Sequence, residues 1–442
     1  MPAEATGQTG QGSEPAYVGW RQNFYTLWAA EVVAIIGFQA VQPFLPYYIQ
    51  TFDITDLDEA LIWAGRMGTA AGLAMAISSP IWGYLADRHG RKPMVVRSML
   101  GGGVAVILMA YVQSVEQLLI ARVLQGALAG TVTACLTLVS TSTPRSHLGY
   151  ALGLMQGAFM LGASVGPLLG GPLIESLGYK TCFLYSGITV IIAGIAVQIW
   201  VQEDFQRSRQ VESSSKHRLP GRDVGRLFRI KAFLILVVSV TSMSFTFGFI
   251  MPVVPLFLQD LAGAGHGSIV SLAGMVFAAG GLTGAISSAV MGRFSDQLGP
   301  KRVMVWGLMA AAVFHLAQGF SQSVLALGLL IVLGGMATGA IRPVANALLA
   351  RIIDEKDRGK AFGIMSSAAA LGWAAGPIGG SWIGAHLGLR SVFFATAALF
   401  FVVGLWVWHA MEEPAVQPSL GVSQMLRGWR GRLRSRSTRD DR

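Results

Sequence analysis

Long apolar runs alternate with short polar interruptions along almost the whole chain. The runs are continuous and lack the every-other-residue alternation of a strand, so they predict helices rather than a barrel. Each approaches the ~20 residues that carry a helix across ~30 Å of hydrocarbon. Twelve spans are predicted, at 24–49, 62–82, 94–113, 117–141, 149–173, 181–201, 231–258, 269–291, 303–320, 324–350, 360–385 and 391–409. Most links are short; the exception is the polar, basic segment 202–230. It separates a half at 21–201 from a half at 231–410, with a polar tail at 1–20 and an Arg-rich tail at 411–442.

The two halves repeat each other. Span 1 ends "QPFLPYYI" and span 7 ends "MPVVPLFL", so Pro43 and Pro46 recur as Pro252 and Pro255, 209 residues on. The link "GYLADRHGRKP" after span 2 recurs as "GRFSDQLGPKR" after span 8. Gly83, Asp87, Gly90 and Lys92 match Gly292, Asp296, Gly299 and Lys301. Gly153, Gly162, Gly166, Pro167 and Gly170 of span 5 recur in span 11 as Gly363, Gly372, Gly376, Pro377 and Gly380, 210 residues on. Two six-helix halves in parallel orientation imply a pseudo-twofold axis along the membrane normal, with a site near the midplane between them. The expected fold is an all-α membrane bundle of twelve helices in two pseudo-symmetric halves. In the links, Asp87 can cap a neighbouring helix, and Arg88, Arg91 and Lys92 anchor the loop on one side of the bilayer. The loop reads as a topology anchor, and equally as a latch that closes the halves.

Composition agrees with this reading. The chain is 53% hydrophobic and 13% charged, against about 25% charged in soluble domains. The net charge of +10 does not imply a nucleic acid partner, because the cations are sorted by side. Only Lys180 and Arg390 fall in loops on the far side, Arg66, Arg122 and Arg342 are read as lying within spans, and the first far-side loop carries Asp53, Asp56, Asp58 and Glu59. The positive-inside rule then places both termini in the cytoplasm. No cleavable signal is expected in the polar residues 1–20. Cys135 and Cys182 lie in or at the edge of spans, which predicts no disulfide; neither has a metal-ligand pattern, and no cofactor is expected. The Arg-rich tail reads as solvated, with contact to anionic lipid as the alternative.

These motifs resemble the major facilitator superfamily. The link at 83–93 is similar to its G-x-L-A-D-R-x-G-R-K-x signature, "ARVLQG" carries R-x-x-Q-G at Arg122, Gln125 and Gly126, and span 5 fits G-x8-G-x3-G-P-x2-G-G from Gly153 to Gly171. The resemblance covers residues 20–410, and Pro300 departs from it where Arg91 stands in the first half. It implies alternating access between two rocking halves. The span 5 pattern implies the twelve-helix drug/proton antiporters, and span 1 looks most like bacterial multidrug exporters of the inner membrane.

Candidate residues are the polar groups inside spans, each a functional hypothesis by default. Glu31, ~10 Å inside span 1, is expected to carry the coupling proton; the competing reading is an acid that reaches the interface. The resemblance assigns Arg122 to tuning that proton. A direct or a water-bridged link to Glu31 is left open, as is a purely structural role. Gln39, Gln42, Gln125, Arg342 and Asn346 are expected to face a substrate cavity, with bonds between helices as the alternative. Met243, Phe247 and Met251, four apart on span 7, read as packing or as a soft apolar site. Arg66 is expected to reach out to Asp58 or Glu59, and His315 reads as structural. Gly162, Gly166 and Gly170, with Gly153, Gly171 and their span 11 counterparts, are a packing face.

The expected function is export of hydrophobic, cationic small molecules in exchange for protons, by a monomer in the bilayer. The alternative is a proton-linked importer, or an exporter of one dedicated metabolite. A sugar site would need denser polar groups on spans 1, 4, 7 and 10. No HExxH, nucleophile elbow, phosphate loop or filter loop appears, which speaks against an enzyme or a channel.

Overall fold

The computed structural model describes residues 19–203, 221–263 and 268–412. Both tails and most of the 202–230 linker lie outside the described residues. Every regular element within them is helical. Ten helical stretches are long and apolar enough to cross a membrane. One of these, Leu148–Trp200, holds both spans 5 and 6, broken at Gly178 (φ 80°). Span 9 is Pro300–Gly319, so the arrangement agrees with twelve spans. Gly388 (φ 87°) makes the same turn between span 11, Glu355–Leu387, and span 12, Leu389–Ala410. Both turns sit in backbone that glycine alone adopts freely.

Spans 1, 4, 7 and 10, read as continuous from the sequence, are interrupted. Span 1 runs Trp20–Gln39 and resumes as Leu45–Ile49 after a turn at Pro43; span 7 runs Lys231–Ile250 and Val253–Ala262 around Pro252. Proline has no N–H to give the preceding turn. Span 4 divides into Val115–Leu128 and Thr131–Ser142 at Gly130 (φ 115°). Span 10 divides at Ala340 into Val324–Gly339 and Ile341–Ile352. Even the caps repeat: the hydroxyls of Ser114 and Ser323 accept the N–H of Gln117 and Ala326 at 3.3 and 3.2 Å.

The expected glycine face is present, with a correction. A Cβ at Gly162 would press on Ile35, and one at Gly166 on Gln39 and the Ile36 carbonyl. One at Gly170 would land on the Ala40 carbonyl oxygen. Gly372, Gly376 and Gly380 meet Thr241, Phe245 and Phe249 of span 7 in the same way. Gly153 and Gly363, by contrast, have nothing within 4 Å. Gly171 turns to the other half and packs on Val270 and Ser271 of span 8.

The apolar core shows how the halves sit. At the far end, away from Trp20 and Ala410, one cluster joins Phe44, Tyr48 and Met67 to Phe249, Phe257 and Phe393. At the terminal end there are two clusters, one around Phe24, Met99 and Cys135, the other around Phe233, Met304 and Phe400. The halves are joined at the far end and parted at the terminal end.

Candidate functional site

Glu31 is fully buried, and neither carboxylate oxygen has a hydrogen-bond partner. Its neighbours on span 1, Leu27, Ala30 and Ala34, belong to the terminal-end apolar cluster, as does Cys135 of span 4. The side chain therefore does not reach the interface. A charge here is costly unless compensated.

Arg122 is buried as well, 6% exposed, and donates from Nη1 to Oε1 of Gln125, one turn on. Its Nε is unpartnered. No ion pair between Arg122 and Glu31 is formed. Gln42 donates to the Met251 sulfur at 4.0 Å, across the halves. Gln39 lies against Gly166. Met243 packs on the second half's terminal-end cluster, whereas Phe247 is 61% exposed, so the span 7 stripe divides between packing and open surface. Arg342 and Asn346 are exposed side by side on one face of Ile341–Ile352.

Two expectations are corrected. Arg66 does not pair with Asp58 or Glu59; its guanidinium stacks on Trp63, 5.1 Å from the ring centre. Asp87 is exposed, and the acid that caps span 3 is Glu203: its carboxylate accepts the N–H groups of Arg91 and Lys92 at 2.8 and 2.9 Å. Gly90 and Gly299 turn both links with φ of 99° and 92°. Arg88 is exposed, Gly83 faces open space, Lys92 donates to the Gln198 carbonyl, and Lys301 lies over Trp408. The surroundings of Gly292 and the side chain of Asp296 lie outside the described set. His315 bonds Gln318 at 2.8 Å and stacks on Phe400, a structural place.

A family model described as Major Facilitator Superfamily matches residues 27–287 and, overlapping them, 249–438. The chain belongs to the major facilitator superfamily. It is similar to the Multidrug resistance protein MdtG of Escherichia coli (strain K12 / DH10B), 31% identical over 397 residues, 90% of this chain and 96% of that protein. The MdtG protein of Klebsiella pneumoniae (strain 342) is 31% identical over 403 residues, 91% of this chain and 96% of its own. A bacterial homologue of the human lysosomal transporter Spinster, in an inward-facing and occupied conformation, superposes with a TM-score of 0.72. It has 16% identity and covers 90% of this chain and 97% of its own. The human organic anion transporter MFSD10 gives 0.62 with 17% identity, covering 89% and 100%. At these identities the structures speak to fold alone. Membership in the superfamily makes the chain a multi-pass membrane transporter and not an enzyme.

Within this superfamily fold one group escaped the sequence reading. Arg97, counted there with the terminal-side cations, reaches the break in span 4. It donates to the carbonyls of Leu128 and Ala129 at 3.3 and 3.5 Å and stacks 3.6 Å from the Trp82 ring centre. Trp82 Nε1 donates to the Ala127 carbonyl at 2.7 Å. A break inside a bilayer frees carbonyls that need partners, and a cation suits a helix C-terminus. The available signal was an arginine at the fourth position of the predicted span 94–113. Arg97→Met is expected to lower stability by about 1–3 kcal/mol, read as unfolding in detergent. Trp82→Phe is expected to add less in that background than alone, because both serve one break.

Proposed function

We propose that this chain exports hydrophobic, cationic small molecules in exchange for protons, working as a monomer in a bacterial inner membrane. The observation that carries the reading is Glu31, a carboxylate buried in span 1 with no partner for either oxygen. Such a group is stable when protonated and exposed to strong pressure to find a counter-charge when not. A proton meets that need, and so does a cationic substrate once spans 1 and 4 part enough to admit one. The relatives named multidrug resistance proteins, which the chain matches over nine-tenths of its length, support export of drugs.

The excess of Lys and Arg at the terminal end supports a cytoplasmic location for both termini. The parted terminal end is then the inward-facing state, open to the cytoplasm. In the opposite state the halves would close there. Gly83, Gly153 and Gly363, now facing open space, would be covered, and Asp87 would gain a helix N-terminus to cap. Arg122 and Gln125 would adjust the proton affinity of the site, while Gln39, Gln42, Phe247, Met251, Arg342 and Asn346 would line the substrate path.

The test uses purified protein in liposomes holding a pH-sensitive dye, an imposed proton gradient and a panel of lipophilic cations. Proton movement evoked by several unrelated cations is the expected result. Movement evoked by a single metabolite and by none of the cations would replace this reading with a dedicated transporter.

A further inference from the structure

The seams that close the far end are not alike. Between spans 1 and 7, the Tyr47 hydroxyl donates to the Pro255 carbonyl at 2.6 Å, and the amides of the repeat-related Gln50 and Gln259 exchange bonds at 3.0 Å each way. Between spans 2 and 11, small residues pack, Gly65 on Ser381, Gly68 on Pro377 and Gly72 on Ala374. One cross-half hydrogen bond accompanies them, from the Ile378 N–H to the Thr69 hydroxyl at 3.1 Å. Between spans 5 and 8 a carboxylate takes part. Glu175 accepts the Ser271 N–H at 2.9 Å with one oxygen and the Ser271 hydroxyl with the other.

Ser271 lies in the first turn of span 8, Ile269–Leu298, whose N-cap Ser268 makes no side-chain cap bond. The first N–H groups of a helix have no partner of their own, and a negative charge there is favourable. Glu175 supplies both from the opposite half. Its reach is set by Gly171, one turn earlier on the same face, which lets span 5 come against the Ser271 backbone. The repeat does not reproduce the pair: the counterpart of Glu175, 210 residues on in span 11, is Ala385, and that of Ser271, 209 residues back in span 2, is Ile62. The contact is thus not a by-product of the twofold fold.

We propose that Glu175 is a latch on the far gate, a positioning residue that biases the transporter toward the state closed at that end. When the halves part there, the carboxylate must leave both Ser271 groups and the span 8 N-terminus. Glu175 is exposed and Ser271 half-buried, so water takes over part of the bond's worth, and the bias is roughly threefold to tenfold in the ratio of states. The proposal rests on the alternating-access reading of the fold, but its test involves neither substrate nor protons.

Spin labels are placed at Gln113→Cys and Gln322→Cys, exposed far-end positions 209 residues apart, one in each half. The native Cys135 and Cys182 are buried. Electron–electron distance distributions on the purified full chain report the far gate. Glu175→Ala should raise the ratio of long to short distances about fivefold, and Ser271→Ala should raise it less, because the N–H bond stays. Ser271→Ala should add nothing in the Glu175→Ala background. A distribution unmoved by Glu175→Ala, or effects of the two substitutions that simply multiply, overturns the latch. Neither outcome touches the exporter reading, and loss of drug-evoked proton flux would leave the latch standing.

Discussion

Glu31→Gln is expected to abolish cation-evoked proton movement while leaving a protein at least as stable as the parent. The amide keeps the size of the side chain and removes its charge. Burying an ionised carboxylate among Leu27, Ala30, Ala34 and Cys135 without a partner costs free energy. An amide there has the penalty of a neutral polar group only, so detergent unfolding should occur at the same temperature or higher. Transport should fall on the order of a hundredfold, the scale on which removing a proton-transfer group acts. Opposite signs on stability and function separate a working group from a structural one. A variant that keeps its flux would move the proton site elsewhere, to span 4 or to the loop acids. A variant that loses both fold and flux would make Glu31 a structural acid.

Gly170→Ala and Gly380→Ala should each destabilise the protein by about 1–3 kcal/mol or more. Their new Cβ atoms would land on the carbonyl oxygens of Ala40 and Phe249, which are backbone and cannot swing aside. These carbonyls sit where spans 1 and 7 bend, so a shift there displaces the Gln39–Gln42 and Phe247–Met251 segments as well. Gly153→Ala and Gly363→Ala belong to the same sequence motif and should do the reverse. With nothing within 4 Å in this state, they gain the helix preference of alanine over glycine, roughly 0.5–1 kcal/mol. Detergent melting of the four single variants checks both signs. If all four lose stability, the terminal-end glycines are packed in solution and the parted state is not the resting one.

That contrast shows where the sequence stops being informative. Spacing puts Gly153, Gly162, Gly166 and Gly170 on one helix, but which part of it is covered depends on the position of the halves, and that is a property of the state. The spans and the repeat were legible because each rests on a signal carried by many residues. The break at Gly130 was not: it is one of 55 glycines, and nothing in the sequence sets it, or Gly339 beside the break at Ala340, apart from the rest. Glu203 capping span 3 was hidden for another reason. The acid lies 111 and 112 residues from the N–H groups it accepts, and only the packing of span 6 beside span 3 brings them together. Among candidate residues, Glu31 and Arg122 stood out as charges in apolar runs, and both are buried. Their direct pairing, left open by depth, does not occur.

The Gln50–Gln259 exchange carries a further consequence. Two copies of one side chain, each giving and receiving the same bond across a twofold axis, make the isologous contact of a symmetric dimer, here within a single polypeptide. Such a contact is self-matched: an alteration at one position leaves its partner facing an unlike group, and only paired alterations restore the fit. The two halves have diverged at Glu175 and Arg97, yet along this axis they still meet as equals.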